Sequence, residues 1–189
     1  MISGLRLAFV LMAFALPAHA DALDELMQRL AQVKSARGKF VERKQLAMLQ
    51  TPLESSGTLY YVAPGRLEKH MLKPRRESMI LDGDTLILEN QDSGQRRMLA
   101  VQENPVLWGF VESIRSTLSG DLATLKRFYD VRLEGASADW HLRLRPTERR
   151  MQQAAREIRV SGSGTWVSAI EIDEAGGDHS VMTISREAP

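Results

Sequence analysis

The sequence contains no cysteine among its 189 residues, and aromatic residues make up only 6 % of it. Without thiols the chain has no disulfide framework and no thiolate metal site, and no cysteine is present to carry an N-terminal lipid anchor. Its stability must therefore come from packing. A hydrophobic content of 43 % supports a packed core and is too high for a disordered chain.

Net charge is also nearly absent, because 25 Lys and Arg residues are balanced by 24 Asp and Glu residues. A protein that binds nucleic acid usually shows a clear basic excess, so we expect no nucleic-acid partner.

The first twenty residues have the three parts of a secretory signal peptide. Arg6 supplies the positive charge, Leu7 to Leu16 form a ten-residue apolar run, and Pro17 precedes the small-x-small sequence Ala18-His19-Ala20. The run is half of the roughly 20 apolar residues that a membrane-spanning helix needs. We therefore expect residues 1–20 to be cleaved and residues 21–189 to form a single domain that is soluble outside the cytoplasm.

The rest of the chain predicts one helix followed by many short strands. Apolar residues at three- and four-residue spacing predict a helix over residues 21–36, which Gly38 ends. Alternating runs separated by turn residues then predict antiparallel strands. We place them at about 38–49, 56–63, 66–73, 76–82, 85–91, 95–101, 127–135, 138–146, 154–162, 165–173 and 179–186.

A helical segment interrupts these strands at residues 104–128. Pro105 suits a first helical position, Gly120-Asp121 ends the main helix, and Leu122 and Leu125 suggest one more short turn. About eleven antiparallel strands are too many to stay flat, so the fold class is mainly β (α+β), an incomplete antiparallel β-barrel.

Several strands have one apolar face. Trp140 and Leu142 alternate with His141 and Arg143, for example. Small barrels fill with side chains, whereas larger ones leave ligand cavities. Both an ordinary closed core and an apolar concave cavity covered by the helices remain open at this point.

Residues for catalysis or metal binding do not form a recognisable set. His70, His141 and His179 are far apart in the sequence and lack a ligand spacing such as HExxH, and no GxSxG motif is present. We predict no catalytic residues, no metal and no cofactor. An arginine cluster could meet an acidic partner or lipid headgroups, although such clusters are more often solvated. Its members are Arg143, Arg145, Arg149 and Arg150.

Taken together, these features resemble the LolA-type periplasmic outer-membrane lipoprotein carriers. The similarity is clearest over residues 57–88, where the family shows a Gly-x-Leu strand, two prolines, a glutamate and an Asp-Gly turn. The matching positions are Gly57, Leu59, Pro64, Leu67, Pro74, Glu77, Asp82, Gly83 and Leu86. The opening helix followed by Gly38-Lys39-Phe40 also looks like the start of the family.

The resemblance implies an incomplete barrel whose helices form a lid over an apolar cavity for acyl chains. It implies a monomeric periplasmic carrier that takes acylated lipoprotein or lipid cargo from an inner-membrane donor transporter to an outer-membrane acceptor. The apolar residues that we expect in the cavity and lid are Leu59, Tyr61, Leu67, Met71, Leu86, Leu107, Trp108, Phe110, Ile114, Leu118, Trp140, Leu142 and Ile170.

Departures from the family at three positions favour a different cargo. Ala63 stands where principal members have an arginine linked to lid closure, and Lys69 and Ile87 replace aromatic residues. Residues 105–121 look more like a divergent branch associated with lipids such as aryl-polyene-type glycolipids. The alternatives are therefore a carrier for such a lipid working with an inner-membrane exporter, a regulatory module that senses lipid or protein, and a small periplasmic enzyme.

The signal peptide can be tested directly. We expect the chain recovered from the periplasm to begin at Asp21, because cleavage follows Ala18-His19-Ala20. N-terminal sequencing of a periplasmic extract measures this, and an uncleaved chain in the membrane fraction would contradict the predicted location.

Overall fold

The structure is a computed structural model that describes residues 18–187. The predicted charged and apolar parts of the signal peptide lie outside the described residues. Helix α1 spans Ala18–Leu30 and is followed by strands β1 to β6, which span Ser35–Gln45, Leu53–Val62, Arg66–Lys73, Glu77–Asp82, Thr85–Asn90 and Gln95–Ala100.

Helices α2 (Pro105–Ser119) and α3 (Leu122–Phe128) then precede β7 (Tyr129–Ala136) and β8 (Asp139–Pro146). The remaining elements are α4, β9, β10 and β11, which span Arg149–Gln152, Ala155–Ser163, Trp166–Glu174 and His179–Arg186. No helix in residues 18–187 is long and apolar enough to cross a bilayer.

Eleven strands form one antiparallel sheet in the order β6-β5-β4-β3-β2-β1-β11-β10-β9-β8-β7. Strands β6 and β7 are its two edges and do not pair with each other within the described chain, so the barrel is incomplete. The predicted fold class and strand number are confirmed. Pairing of β1 with β11 joins the two halves of the chain, with Phe40 opposite Ile184.

Helix α2 begins and ends where the sequence signals place it. The side chain of Asn104 accepts hydrogen bonds from the backbone N–H groups of Val106 and Leu107, and Pro105 occupies the first turn. Gly120 ends the helix in the left-handed conformation at φ 70°. A Cβ on Gly120 would lie 2.2 Å from the carbonyl oxygen of Met27, so this glycine also allows α1 to pack closely against the end of α2.

The predicted first helix is wrong at its C-terminal end. Helix α1 ends at Leu30, and Gly38 lies inside β1, where it pairs with Leu59 and Arg186. A Cβ at Gly38 would come within 2.9 Å of the Ile184 side chain. The glycine is thus explained by close packing within the sheet and does not terminate a helix.

Other boundaries differ by a few residues. The first predicted strand ends at Gln45 because residues 46–52 form a loop, and the predicted strand at 127 begins at Tyr129 because α3 extends to Phe128. Helix α4 was not predicted, since it has only four residues.

The main core lies between the concave inner face of the sheet and the helices. Its fully buried side chains include Trp140, Leu142 and Leu144 from β8, which pack with Leu26 and Leu125 from the helices. A smaller buried cluster of Leu81, Leu86 and Val101 lies under the start of α2.

The close contact of β2 with β3 gives a stability test. A Cβ on Gly57 would lie 1.9 Å from the backbone carbonyl oxygen of His70, whereas a Cβ on Gly176 would meet no atom within 4 Å. We expect Gly57→Ala to lower the free energy of unfolding by about 1–3 kcal/mol through overpacking. Gly176→Ala should leave it unchanged or slightly raised. Urea unfolding curves measure both, and equal values for the two variants would contradict the strand pairing.

Candidate functional site

The candidate site is the inner face of the sheet together with the side of α2 that meets it. Pairing of the strands places alternate residues of each strand on this face, and many of its apolar side chains pack on the main core while staying partly exposed. On the sheet these are Leu59, Val131, Leu133, Ile170, Ile172 and Met182.

Helix α2 contributes apolar side chains in an unusual way. Its most buried positions are small or polar, namely Gly109, Glu112, Ser113, Ser116 and Thr117. At Gly109 the contact is tight, because a Cβ there would lie 2.5 Å from the Met151 sulfur. The small residues let α2 sit close to the core, and its apolar residues are left partly exposed at either side of this buried stripe. They are Val106, Leu107, Trp108, Phe110, Val111, Ile114 and Leu118.

The predicted cavity and lid residues occupy three different environments. Leu59, Trp108, Phe110, Ile114, Leu118, Trp140, Leu142 and Ile170 belong to or pack on the main core, while Leu67, Leu86, Leu107 and Trp108 surround the smaller cluster. Trp140 and Leu142 have no exposed surface, and Leu86 and Tyr61 retain only 3 % and 4 %. Trp140 and Leu142 are packed in the main core and Leu86 in the smaller cluster, whereas Tyr61 belongs to neither cluster.

Trp108 joins the two buried clusters. Its ring packs edge-on against Phe128 at a centroid distance of 5.1 Å, and its indole N–H donates to Glu112 at 3.1 Å. These contacts of Trp108 help to fix the position of α2, so Trp108 has a structural role in addition to any contact with a ligand.

Met71 lies apart from the other predicted residues, in an open pocket of about 350 Å³ on the inner face of β3 to β6. Met79 and Leu88 line the same pocket beside Lys69 and Arg97. Sequence reasoning missed Met79 and Leu88. Their alternation with Leu81 and Leu86 along β4 and β5 would have placed them on the same face.

A buried ion pair within α2 orients the arginine that reaches the turns of the sheet. Glu112 is 3 % exposed, and its carboxylate accepts hydrogen bonds from Arg115, from Trp108 and, at 2.8 Å, from the Ser116 hydroxyl. Burial alone would raise the pKa of Glu112, but these donors outweigh it and lower that pKa, so the group is ionised near neutral pH.

Arg115 extends from this pair to two hairpin turns. It donates to the carbonyl oxygen of Gly83 at 2.8 Å and lies 3.6 Å from the Asp84 carboxylate. Its aliphatic part packs over Gly65, where a Cβ would come within 2.7 Å of it. One side chain therefore connects α2 to the β2–β3 and β4–β5 turns. Sequence reasoning missed this role, and the only signal for it was a glutamate three residues before an arginine on a helix.

The arginine cluster of the sequence divides into two parts. Arg143 and Arg145 bind the Glu157 carboxylate on the outer face of the sheet, each at 2.9 Å. Hydrogen bonds from Arg143 and Arg145 overcome the effect of burial and lower the pKa of Glu157 to about 2. Arg149 and Arg150 lie in α4 and are exposed.

The three histidines stay apart, as their sequence spacing suggests. His70 contacts Glu68 at 2.8 Å, His141 contacts Ser161 at 2.8 Å, and His179 contacts Asp173 at 2.7 Å. Among the described residues, no group of three or more metal-ligating side chains comes together.

Comparison with known proteins decides the family. A sequence model described as outer membrane lipoprotein carrier protein LolA-like matches residues 15–187. The chain belongs to this LolA-like family.

Relatives of known name agree with this assignment. An outer-membrane lipoprotein carrier protein of Cupriavidus taiwanensis is 28 % identical over 181 residues, which cover 94 % of this chain and 82 % of the relative. A protein of the same name from Methylibium petroleiphilum is 26 % identical over 170 residues, covering 89 % of this chain and 79 % of the relative.

Solved structures show the same fold at low sequence identity. An uncharacterized conserved protein from Thermus thermophilus superposes with a TM-score of 0.51 at 10 % identity, covering 87 % of each chain. MucB superposes with a TM-score of 0.50 at 16 % identity, covering 91 % of this chain and 61 % of MucB.

Substitution of Arg115 tests whether this side chain holds α2 in place. Replacing it by glutamine leaves the Glu112 carboxylate buried without its cation, and breaking a buried pair costs up to roughly 3–5 kcal/mol. We expect Arg115→Gln to lower stability and to speed amide hydrogen exchange in α2 more than elsewhere.

Arg132→Gln is the matched control, since Arg132 forms an exposed ion pair with Asp130 on β7. Its effect on stability should be within about 1 kcal/mol. Equal exchange rates in α2 for the two variants would show that Arg115 does not hold the helix.

Proposed function

We propose that this LolA-like protein carries the acyl chains of a lipoprotein or another lipid through the periplasm, from the inner to the outer membrane. The observation that supports this most is the set of partly exposed apolar side chains shared by α2 and the inner face of the sheet. They lie beside a fully packed core, and Arg115 of α2 connects this helix to Gly83 and Asp84 in a turn of the sheet. The family and the sequence of residues 1–20 agree with a role in the periplasm.

A lipid needs a carrier to cross the periplasm, because its acyl chains are very unfavourable in water. Each methylene group that leaves water contributes about 0.8 kcal/mol, so a lipid with two or three acyl chains does not cross an aqueous compartment unaided at a useful rate. A carrier must bind those chains strongly and still release them. A partly open apolar surface with a movable cover meets both requirements better than a tight, closed pocket does.

The cover in this proposal is α2. Its buried stripe, from Gly109 to Thr117, consists of small or polar residues, so the larger apolar side chains of α2 are only partly buried. Movement away from the sheet turns would break the contacts of Arg115 with Gly83 and Asp84. A ligand that binds the open form more tightly would shift the population towards it.

The donor would be an inner-membrane transporter and the acceptor an outer-membrane component, with the carrier acting as a monomer. Within this scheme Ala63 favours a cargo other than the common lipoproteins. At this turn the aliphatic part of Arg115 from α2 packs over Gly65, and its guanidinium group reaches the β4–β5 turn. The lid contact therefore differs from that of family members with an arginine at the position of Ala63.

Acyl-chain binding can be tested by the same substitution on the two faces of the sheet. Ile170 lies on the inner face and packs on the main core, whereas Ile87 pairs with Ile80 on the outer side of β5. We expect Ile170→Thr to weaken binding of a fluorescent fatty acid by roughly fourfold for each methylene group removed from the apolar surface. Ile87→Thr should bind as the wild type does.

Thermal melts of both variants separate binding from stability. Weaker binding by Ile170→Thr with a melting temperature close to that of Ile87→Thr supports the proposed site. Unchanged binding in a destabilised Ile170→Thr variant means that Ile170 is only a core residue.

A further inference from the structure

One end of the sheet carries five of its connections. Because neighbouring strands are antiparallel, the connections β1–β2, β3–β4, β5–β6, β8–β9 and β10–β11 all lie at this end. They comprise residues 46–52, 74–76, 91–94, 147–154 and 175–178. We name this surface the loop end.

An exposed apolar loop lies at the centre of the loop end. Met48 is 87 % exposed, Leu49 is 42 % exposed and Leu53, at the start of β2, is 53 % exposed. Exposed apolar side chains grouped in this way mark contact surfaces more often than single ones do.

Hydrogen bonds give this loop a defined shape. The Ala47 N–H donates to the Asp178 carboxylate at 2.9 Å, and the Gln45 side-chain amide donates to the Leu49 carbonyl oxygen at 2.7 Å. The loop is thus tied to the β10–β11 turn while Met48 and Leu49 face solvent.

Cations flank the loop on both sides. In sheet order Lys73 and Arg75 lie to one side, next to the β3–β4 turn, and Arg149 and Arg150 lie to the other, in α4. All four are exposed, and none forms an ion pair within residues 18–187.

Most acidic groups at the loop end already have partners. Glu174 pairs with Lys44 and Asp92 pairs with Arg76. Asp178 accepts from the loop backbone and keeps its negative charge, so Asp178 and Glu148 stand against the four cations. The loop end is therefore positive, although the whole chain is nearly neutral.

We infer that the loop end binds the surface of a bilayer that contains anionic lipid, with Met48 and Leu49 entering the headgroup region and the four cations meeting lipid phosphates. Exposed apolar side chains between two basic flanks fit a fluid, planar anionic layer, which accepts apolar groups among its headgroups and attracts cations. This contact is separate from the acyl-chain site proposed above, since it uses none of the inner-face residues.

The test is sedimentation of the purified processed protein with vesicles of phosphatidylcholine, with or without phosphatidylglycerol. We expect binding only to the anionic vesicles, and loss of binding at high salt. Arg149→Gln/Arg150→Gln should weaken binding by about 25-fold, at about fivefold for each basic residue. Met48→Ser/Leu49→Ser should also weaken it.

Two control variants change the same residue types elsewhere. Lys34→Gln/Lys39→Gln removes two exposed cations away from the loop end, and Met98→Ser removes an exposed methionine on β6. Both should bind anionic vesicles as the wild type does.

Four results would overturn the inference. Equal binding to both kinds of vesicle, or full binding by the loop-end variants, would exclude the loop end as the contact. Absence of sedimentation with any vesicle would also exclude it and leave an acidic protein as the partner. If Ile170→Thr abolishes vesicle binding and Arg149→Gln/Arg150→Gln does not, vesicle binding belongs to the acyl-chain site. Fatty-acid binding is measured on the loop-end variants as well. If they keep it, the membrane contact and the acyl-chain site are separate.

Discussion

The structure depends on how an eleven-stranded sheet with one apolar face is shielded from water by four helices, two of them very short. The inner-face residues Trp140, Leu142 and Leu144 of β8 pack in one cluster with side chains from α1, α3 and α4 and have no exposed surface. The same helices do not reach the β3–β6 part of the sheet, where an open pocket contains Met71 and Met79. The mismatch between a wide sheet and few helices leaves apolar surface that a ligand can use.

Helix α2 stands at the border between the covered and the open parts. A conventional amphipathic helix would bury its apolar side chains, but α2 buries Gly109, Ser113 and Thr117 and leaves its larger residues partly exposed. Its position then depends on specific polar contacts, chiefly those of Glu112 and Arg115. This arrangement gives α2 one defined position, in which polar contacts supplement the packing of its partly buried apolar residues.

Much of the fold could be predicted from the sequence, because alternation of apolar residues reports directly on which strand face is buried. This worked for β8 and β10, and it could have identified Leu88. It failed at Gly38, since the sequence does not show that the side chain of Ile184 approaches this residue from another strand. The sequence also could not predict which individual site residues are buried. Trp140 and Ile170 have the same pattern, and only the positions of the helices separate a packed residue from an accessible one.

The most direct test of the central claim is native mass spectrometry of the protein purified from the periplasm of its own cells. We expect a noncovalent adduct whose mass, after release under denaturing conditions, corresponds to a lipid or lipopeptide with acyl chains. The reason is that binding acyl chains would remove the partly exposed apolar surface of the inner face from water. The released mass also distinguishes a lipoprotein from a glycolipid cargo. A chain that is always found free, and that stays free after incubation with acylated lipids, would contradict the proposal that this protein is a carrier.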